Sequence, residues 1–175
     1  MAEGSDVTFY KSIWSRALRI NTIFGVALSL VTAAAFSSIG MTGFWFPSVL
    51  ATLPILLIAV MFARSIRGYE VSADAVWVVR WIDRLPVPLD GLKEVERAPS
   101  DMAAGVQPGN RQTNAALFAY NAMYDNDALG RHQAYATDLQ HVVVLRYPDR
   151  TVIVSPDRPD DFVNAVRFAI GAAKA

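Results

Sequence analysis

The stretch at residues 20–63, INTIFGVALSLVTAAAFSSIGMTGFWFPSVLATLPILLIAVMFA, contains no Asp, Glu, Lys, Arg or His. A helix that crosses a bilayer needs about 20 mostly apolar residues, so the stretch is long enough for two crossings. Residues 40–43 include two glycines and predict a tight turn. We therefore expect spans at residues 20–39 and 44–63. The alternative is a buried hairpin in a soluble protein, although helices of soluble domains normally keep a polar face.

The segment ahead of the first span, residues 1–19, shows helical spacing. Its apolar residues fall in two series, Phe9, Ile13, Ala17 and Tyr10, Trp14, Leu18. This spacing favours an amphipathic helix at the headgroup level, with Tyr10 and Trp14 as interfacial anchors. The alternative is that the first span begins early. Residues 33–35 resemble a signal-peptide cleavage site, but the apolar run continues past them, so we expect no cleavage.

Basic residues indicate the orientation of the spans. Five of them flank the spans and none lies in the turn: Lys11, Arg16, Arg19, Arg64 and Arg67. Because short loops that carry Lys and Arg stay in the cytoplasm, we expect both termini there. Phe44, Trp45 and Phe46 then mark the opposite interface, where aromatic rings are favoured.

Small residues form a ridge on the first span. Gly25, Ser29, Ala33 and Ser37 lie four residues apart, and small residues let helices approach closely in lipid. The ridge packs either on the second span or on a different membrane protein, and the sequence leaves both open. Pro54 predicts a kink in the second span.

Composition limits what the remaining residues do. The chain has 175 residues, with 16 Lys+Arg and 16 Asp+Glu, and the part outside the spans has the size of one domain. A balanced charge argues against nucleic-acid binding, which needs a basic face. The absence of Cys excludes disulfides, thiol chemistry and Cys-ligated metals.

After residue 67 the apolar pattern has a period of two and predicts strands. We expect them near residues 69–72, 75–82, 85–89, 92–97, 117–120, 133–138, 141–147 and 151–155. Pro86 and Pro88 require an edge position or a bulge. Residues 99–114 contain two prolines and two glycines without periodicity, which predicts a long loop that is functional or disordered.

The last predicted element is an amphipathic helix. Asp157 is the expected N-cap and Pro159 suits the first turn. Phe162, Val166 and Ile170 recur every four residues and give the helix one apolar face. Such a face needs a surface to cover, and we expect it to close one end of the strands.

A meander of seven or eight strands followed by one helix resembles the pleckstrin-homology-like (PH-like) barrel. GYEV at 68–71 and LPVPLDGLKEV at 85–95 resemble the opening of bacterial PH domains. AYATD at 134–138 resembles their penultimate strands, and VIVSPDRPDDF at 152–162 resembles their junction between strand and helix. These motifs mark turns and caps and carry no chemistry.

The resemblance covers residues 68–170 and implies a domain organisation. It implies an antiparallel β-barrel or sandwich of about seven strands capped by one C-terminal α-helix, behind a membrane α-hairpin that is common in this group. We expect an N-terminal segment at residues 1–19, the hairpin at 20–66 and the PH-like domain at 67–175. The expected location is the bacterial inner membrane, with two crossings.

Few side chains suit catalysis, which needs a base, a nucleophile and groups that orient them. We expect His132 to be solvated at a strand start and His141 to begin a strand. Asp157, Asp160 and Asp161 are expected to cap the last helix and not to bind a cation, because a helix N-terminus repels cations. The sequence has no phosphate-binding glycine loop and no zinc spacing.

An electrostatic site is the remaining candidate. Eukaryotic PH domains often bind phosphoinositides near their first hairpin, and the resemblance places Arg80 and Arg84 there as candidate anion or lipid contacts. Asp83 makes this basic cluster sparse. Trp77 and Trp81 share one face of the predicted strand, and we expect core residues there and not a binding platform.

These features predict a protein without catalytic activity, cofactor or metal. We expect the lipid bilayer and a membrane protein as partners, and neither nucleic acid nor a small-molecule substrate. The domain would act as an interaction or assembly module, for example as an accessory subunit of a larger membrane complex. The alternative is a domain that senses lipid headgroups or the membrane surface.

Overall fold

The computed structural model describes residues 7–40, 45–98, 118–126 and 129–173. Within these ranges it contains nine strands and three helices. The helices are α1 (Arg16–Gly40), α2 (Trp45–Ala63) and α3 (Pro159–Ala173). The strands are β1 (Thr8–Lys11), β2 (Ile66–Val71), β3 (Ala75–Arg80), β4 (Arg84–Pro88), β5 (Glu94–Arg97), β6 (Tyr120–Asn126), β7 (Gly130–Ala136), β8 (Val143–Arg146) and β9 (Thr151–Val154). Most of the predicted turn, Phe44 and the predicted loop at 99–114 lie outside the described residues.

The strands form two sheets that are consistent with a PH-like β-sandwich. The first is antiparallel with the order β1-β2-β3-β4, and the second has the order β5-β8-β9-β7-β6. In the second sheet β7 runs parallel to β9, so this one pair of strands departs from the predicted antiparallel barrel or sandwich. The reason is topological: β8 reverses direction after β7, and β9 reverses again and lies between them. β4 is an edge strand, as its two prolines require.

The segment ahead of α1 is a strand and not the predicted interfacial helix. β1 pairs antiparallel with β2, with Tyr10 opposite Tyr69 and Lys11 opposite Gly68. Phe9 is exposed and Tyr10 is buried, which is the alternation of a strand. Residues four apart share a face in a strand as well as in a helix, so the spacing did not separate the two. The first sheet therefore includes a strand from before α1, in addition to the strands of the predicted domain at 67–175.

The core lies between the sheets and α3. Phe162 is fully buried, and its ring meets those of Tyr10 and Tyr69 edge-on at centroid distances of 5.2 and 6.1 Å. The apolar face of α3 thus covers the sandwich as expected. Its N-cap is Arg158, whose carbonyl accepts the Phe162 N–H at 3.0 Å, and not Asp157 as predicted.

The helices α1 and α2 pack against each other. By length and composition, the Arg16–Ser38 part of α1 is able to cross a membrane, and among the described residues it is the one helix that meets this criterion. The apolar part of α2 described in full, Thr52–Ala63, is shorter. Large apolar side chains such as Phe24, Val31 and Leu56 point outward from both helices and are exposed.

Candidate interface at the junction of helices and domain

Both helices join the first sheet at the same end. Only residues 64–65 separate α2 from β2, and residues 12–15 separate β1 from α1. Ile66 at the start of β2 pairs with Arg80 at the end of β3. The turn between β3 and β4, residues 81–83, therefore lies beside the ends of the helices. We call this region the junction.

Four aromatic side chains meet at the junction and form an aromatic cluster: Trp14, Phe62, Trp81 and Phe118. The ring of Phe62, from the last turn of α2, stacks on Trp81 with centroids 5.4 Å apart. Phe62 also meets Phe118 edge-on at 5.6 Å, and Phe118 meets Trp14 at 6.0 Å. The cluster thus joins α2, the segment before α1 and the β3–β4 turn.

The tip of the β3–β4 turn is apolar and exposed. Trp81 is 54% exposed and Ile82 is 66% exposed, and the guanidinium of Arg67 lies 4.6 Å from the centre of the Trp81 ring. The expectation that Trp81 is a core residue was wrong, because β3 ends at Arg80 and Trp81 belongs to the turn. Trp77, within β3, is half-buried and donates its indole N–H to the Ser72 hydroxyl at 3.2 Å.

The candidate anion contacts Arg80 and Arg84 are each paired with a carboxylate. Arg80 is buried and its Nη1 lies 3.5 Å from Asp83 Oδ2. The Nη1 of Arg84 donates to Glu70 Oε2 at 2.7 Å. Each guanidinium is thus matched by a carboxylate, and binding of an anionic headgroup by these two arginines stays a prediction.

The residues predicted to be interfacial anchors do not share one environment in the structure. Tyr10 is 3% exposed, and its hydroxyl donates to the Asp161 carbonyl at 3.2 Å, so it belongs to the domain core and the prediction was wrong. Trp14 is half-buried in the aromatic cluster. Phe44 and the side chains of Trp45 and Phe46 lie outside the described part of the chain.

The ridge of small residues on α1 is partly covered. Ala33 is buried, Gly25 and Ser29 are half-buried, and Ser37 is exposed. Because α1 packs on α2, the first three positions fit packing within the helix pair. The docking of another membrane protein on this ridge stays a prediction, and Ser37 is the position where it has room.

A polar cluster, buried except for the half-buried Ser12, ties the segment between β1 and α1 to the domain. We define it as Ser12, Tyr69, Thr137 and Ser155. The hydroxyls of Ser12 and Thr137 are hydrogen-bonded, and Thr137 also donates to the carbonyl of Ile13 at 2.9 Å. The Ser155 hydroxyl accepts the Thr137 N–H at 2.8 Å. This cluster fixes the start of α1 on the second sheet.

Tyr69 anchors the same cluster from the first sheet. Its hydroxyl donates to the Tyr135 carbonyl at 2.7 Å and accepts the Ser155 N–H at 3.1 Å. Burial raises the pKa of Tyr69 to about 12, because an apolar environment disfavours the phenolate. The four residues of the cluster are far apart in the sequence, so no local pattern predicts it.

Comparison with known families identifies the domain. The family model described as bacterial PH domain matches residues 67–170, more than half of the chain. The chain belongs to the bacterial PH domain family. PH domains generally act as interaction modules without catalysis. Searches among curated proteins and among solved structures give no match. The matched range leaves out β1, so the structure adds to this PH domain a strand from before α1.

The two histidines belong to neither the aromatic cluster nor the polar cluster. His132 is fully buried in the PH domain, contrary to the expectation of a solvated side chain, and its Nδ1 lies 2.7 Å from the Gly130 carbonyl oxygen. The strand β7 begins earlier than predicted and turns His132 inward. His141 is exposed, precedes β8 and has its Nδ1 2.9 Å from Asp138 Oδ2.

The acidic residues near α3 pair with arginines of the PH domain. Asp160 Oδ2 lies 2.9 Å from Arg97 Nη1, and Asp161 Oδ2 lies 3.4 Å from Arg158 Nη1. The backbone N–H of Asp157 donates to the Lys11 carbonyl of β1 at 2.8 Å. Among the described residues, no group of three His, Cys, Asp or Glu is placed to hold a metal ion.

Proposed function

We propose that this protein anchors a PH domain to the bacterial inner membrane through a two-span hairpin, and that the domain serves as an assembly module of a larger membrane complex without catalysing a reaction. The observation that carries the proposal is the pairing of β1 with β2. One strand precedes α1 and the other follows α2, yet they are neighbours in one sheet.

This pairing supports a two-span topology. Hydrogen-bonded strands must lie in the same compartment, so Thr8–Lys11 and Ile66–Val71 are on the same side of the membrane. If α1 crosses, α2 must return. The five flanking basic residues favour the cytoplasm for that side. The exposed apolar side chains of both helices suit contact with lipid tails.

Assembly has more support than recognition of a lipid headgroup. Headgroup recognition needs unpaired cations in a pocket, whereas Arg80 and Arg84 are matched by Asp83 and Glu70. The polar and aromatic clusters hold the PH domain directly against the hairpin. A partner that packs on the hairpin would therefore meet the domain in one fixed orientation.

Cysteine labelling tests the topology in the full chain. The chain has no native Cys, so single-Cys variants need no altered background. Thr42→Cys should react with an impermeant thiol reagent added to intact cells, and Asp149→Cys, in the exposed turn between β8 and β9, should react only after lysis. Protection at Thr42 with labelling at Asp149 would reverse the topology. Labelling of both positions in intact cells would contradict it.

Gentle detergent extraction followed by native gel electrophoresis tests the assembly function. Wild type should migrate in one complex larger than the monomer, and Ser37→Leu should release it while its PH domain stays folded. Ala33→Leu is the matched variant, because Ala33 is buried on a helix that packs against α2, so this substitution should weaken the hairpin itself. A free wild-type monomer that binds anionic liposomes would instead favour membrane-surface sensing.

A further inference from the structure

We infer that the turn between β3 and β4, residues 81–83, is seated in the headgroup region of the bilayer that carries the hairpin, with anionic phospholipid around it. The inference rests on the proposed anchoring and adds to it a second membrane contact, made by the PH domain itself. It concerns the orientation of the domain and not the recognition of one headgroup.

The first argument is continuity with the apolar surface of α2. Phe62 lies one residue before the end of this helix, is exposed and stacks on Trp81. Ile55, seven residues earlier and therefore on the same face of the helix, is exposed as well. The apolar surface of α2 thus continues through Phe62 onto Trp81, which is followed by Ile82 at the tip of the turn.

The second argument is the chemistry of the tip. Tryptophan is enriched where a membrane meets water, because its ring is amphipathic. Ile82 is 66% exposed. A soluble domain has no need of a large apolar side chain in a turn of three residues. Seated at the interface, both side chains lose contact with water without any change of the fold.

The third argument is the charge around the tip. Arg64 and Arg67 are exposed, and neither forms an ion pair with a carboxylate in the part of the chain that the structure describes. The nearby acidic residues Asp83 and Glu70 are matched by Arg80 and Arg84. Two uncompensated guanidiniums beside an apolar tip complement the negative surface of a membrane that contains anionic lipid.

The contact of the turn with the bilayer determines which end of the domain faces the cytoplasm. β3 has six residues, so about 20 Å separates the junction from the opposite end of the sheet. At that opposite end a cavity of about 740 Å³ opens between Asp74, Lys93 and Ile170. With the turn at the bilayer, this cavity points away from the membrane.

The experiment measures tryptophan quenching by brominated lipid in the full-length protein. The chain has four tryptophans, and three variants each keep one of them, the others being replaced by Phe: Trp81, Trp77 or Trp45. Each variant is reconstituted in bilayers of phosphatidylethanolamine and phosphatidylglycerol, doped with phospholipid brominated near the headgroup or deep in the acyl chain. Circular dichroism and a melting curve verify that each variant is folded.

Trp81 should lose emission, and more with shallow than with deep bromine. Trp77 is the matched control, because it lies four residues earlier on β3, about 13 Å from the turn, and it should not be quenched. Replacing phosphatidylglycerol by phosphatidylcholine should reduce the quenching of Trp81. Unchanged quenching after that replacement would overturn the role of anionic lipid.

Trp45 separates this inference from the proposed anchoring, since it begins α2. Quenching of Trp45 without quenching of Trp81 would overturn the placement of the turn in the headgroup region, while the hairpin would still lie in the membrane. Absence of quenching at both Trp45 and Trp81 would overturn the membrane anchoring together with the placement of the turn in the headgroup region. Equal quenching of Trp77 and Trp81 would mean that the domain lies flat on the bilayer, and would overturn the orientation.

Discussion

Replacing Tyr10 tests whether the strand ahead of α1 is part of the PH domain. The Tyr10 ring packs edge-on against Phe162, and its hydroxyl donates to the Asp161 carbonyl. If β1 is paired as described, this side chain is a core residue supplied from beyond the hairpin. If it is not paired, Tyr10 is a surface residue and its loss should change little.

The expected magnitudes follow from burial. Truncating a buried aromatic side chain to Ala costs about 3–5 kcal/mol, and Tyr10 is buried. Tyr10→Phe keeps the ring and removes one hydrogen bond, at a cost of about 0.5–1.5 kcal/mol. Phe9→Ala is the matched control on the same strand, because Phe9 is exposed and surface substitutions usually stay within about 0.5 kcal/mol.

The assay is urea unfolding of a water-soluble variant, followed by circular dichroism. A flexible Gly/Ser linker replaces residues 16–64 and joins the β1 segment to β2. Tyr10→Ala should unfold at much lower urea than wild type, with Tyr10→Phe between them and Phe9→Ala near wild type. In a thermal scan Tyr10→Ala should lower Tm by roughly 12–20 °C, at about 4 °C per kcal/mol. Equal small effects of Tyr10→Ala and Phe9→Ala would refute the pairing and remove the argument for two spans.

Three further predictions use the same soluble variant. Phe162→Ala should lower the free energy of unfolding by about 3–5 kcal/mol, whereas Phe168→Ala, on the exposed side of α3, should be nearly neutral; equal effects would mean that α3 packs differently. Gly68→Ala should destabilise the domain, because a Cβ there would meet the backbone of β1 and the Phe9 ring, and unfolding at unchanged urea would count against the register of β1. Burial raises the pKa of Tyr69 to about 12 from its ordinary value of 10. The contribution of Tyr69 to the free energy of unfolding is therefore fully present below pH 10, and it falls by up to about 3 kcal/mol as the pH rises toward 12. The free energy of unfolding of Tyr69→Phe should fall less at alkaline pH than that of wild type. An identical pH profile for the two proteins would contradict the raised pKa of Tyr69.

Local patterns predicted much of the fold because they depend on nearby residues. A period of two placed most strands of the PH domain, and the two prolines of β4 indicated an edge strand. The apolar spacing of Phe162 and Val166 indicated a helix that covers the core, and both residues are buried. Each of these signals lies within one element and needs no knowledge of its partner.

The errors concern features that depend on distant parts of the chain. The partner of β1 is on the other side of α1 and α2, and the four-residue spacing of Tyr10 and Trp14 suits a strand as well as a helix. Trp81 fitted the pattern of β3 but falls just beyond its end, where the turn exposes it. The polar cluster joins residues from different elements, so its members carry no common signal in the sequence.

The connections between helices and domain are too short to act as a flexible tether. Two residues separate α2 from β2 and four separate β1 from α1. Within those four, the Ser12 N–H donates to the Arg67 carbonyl at 3.0 Å, and the Ser15 N–H donates to the Thr137 carbonyl at 3.1 Å. The connection between β1 and α1 is therefore held by backbone hydrogen bonds to the domain. A PH domain that merely needed to be kept near a membrane would function on a loose linker. The fixed junction fits a role in which the domain is presented at one angle, as assembly with a second membrane protein requires.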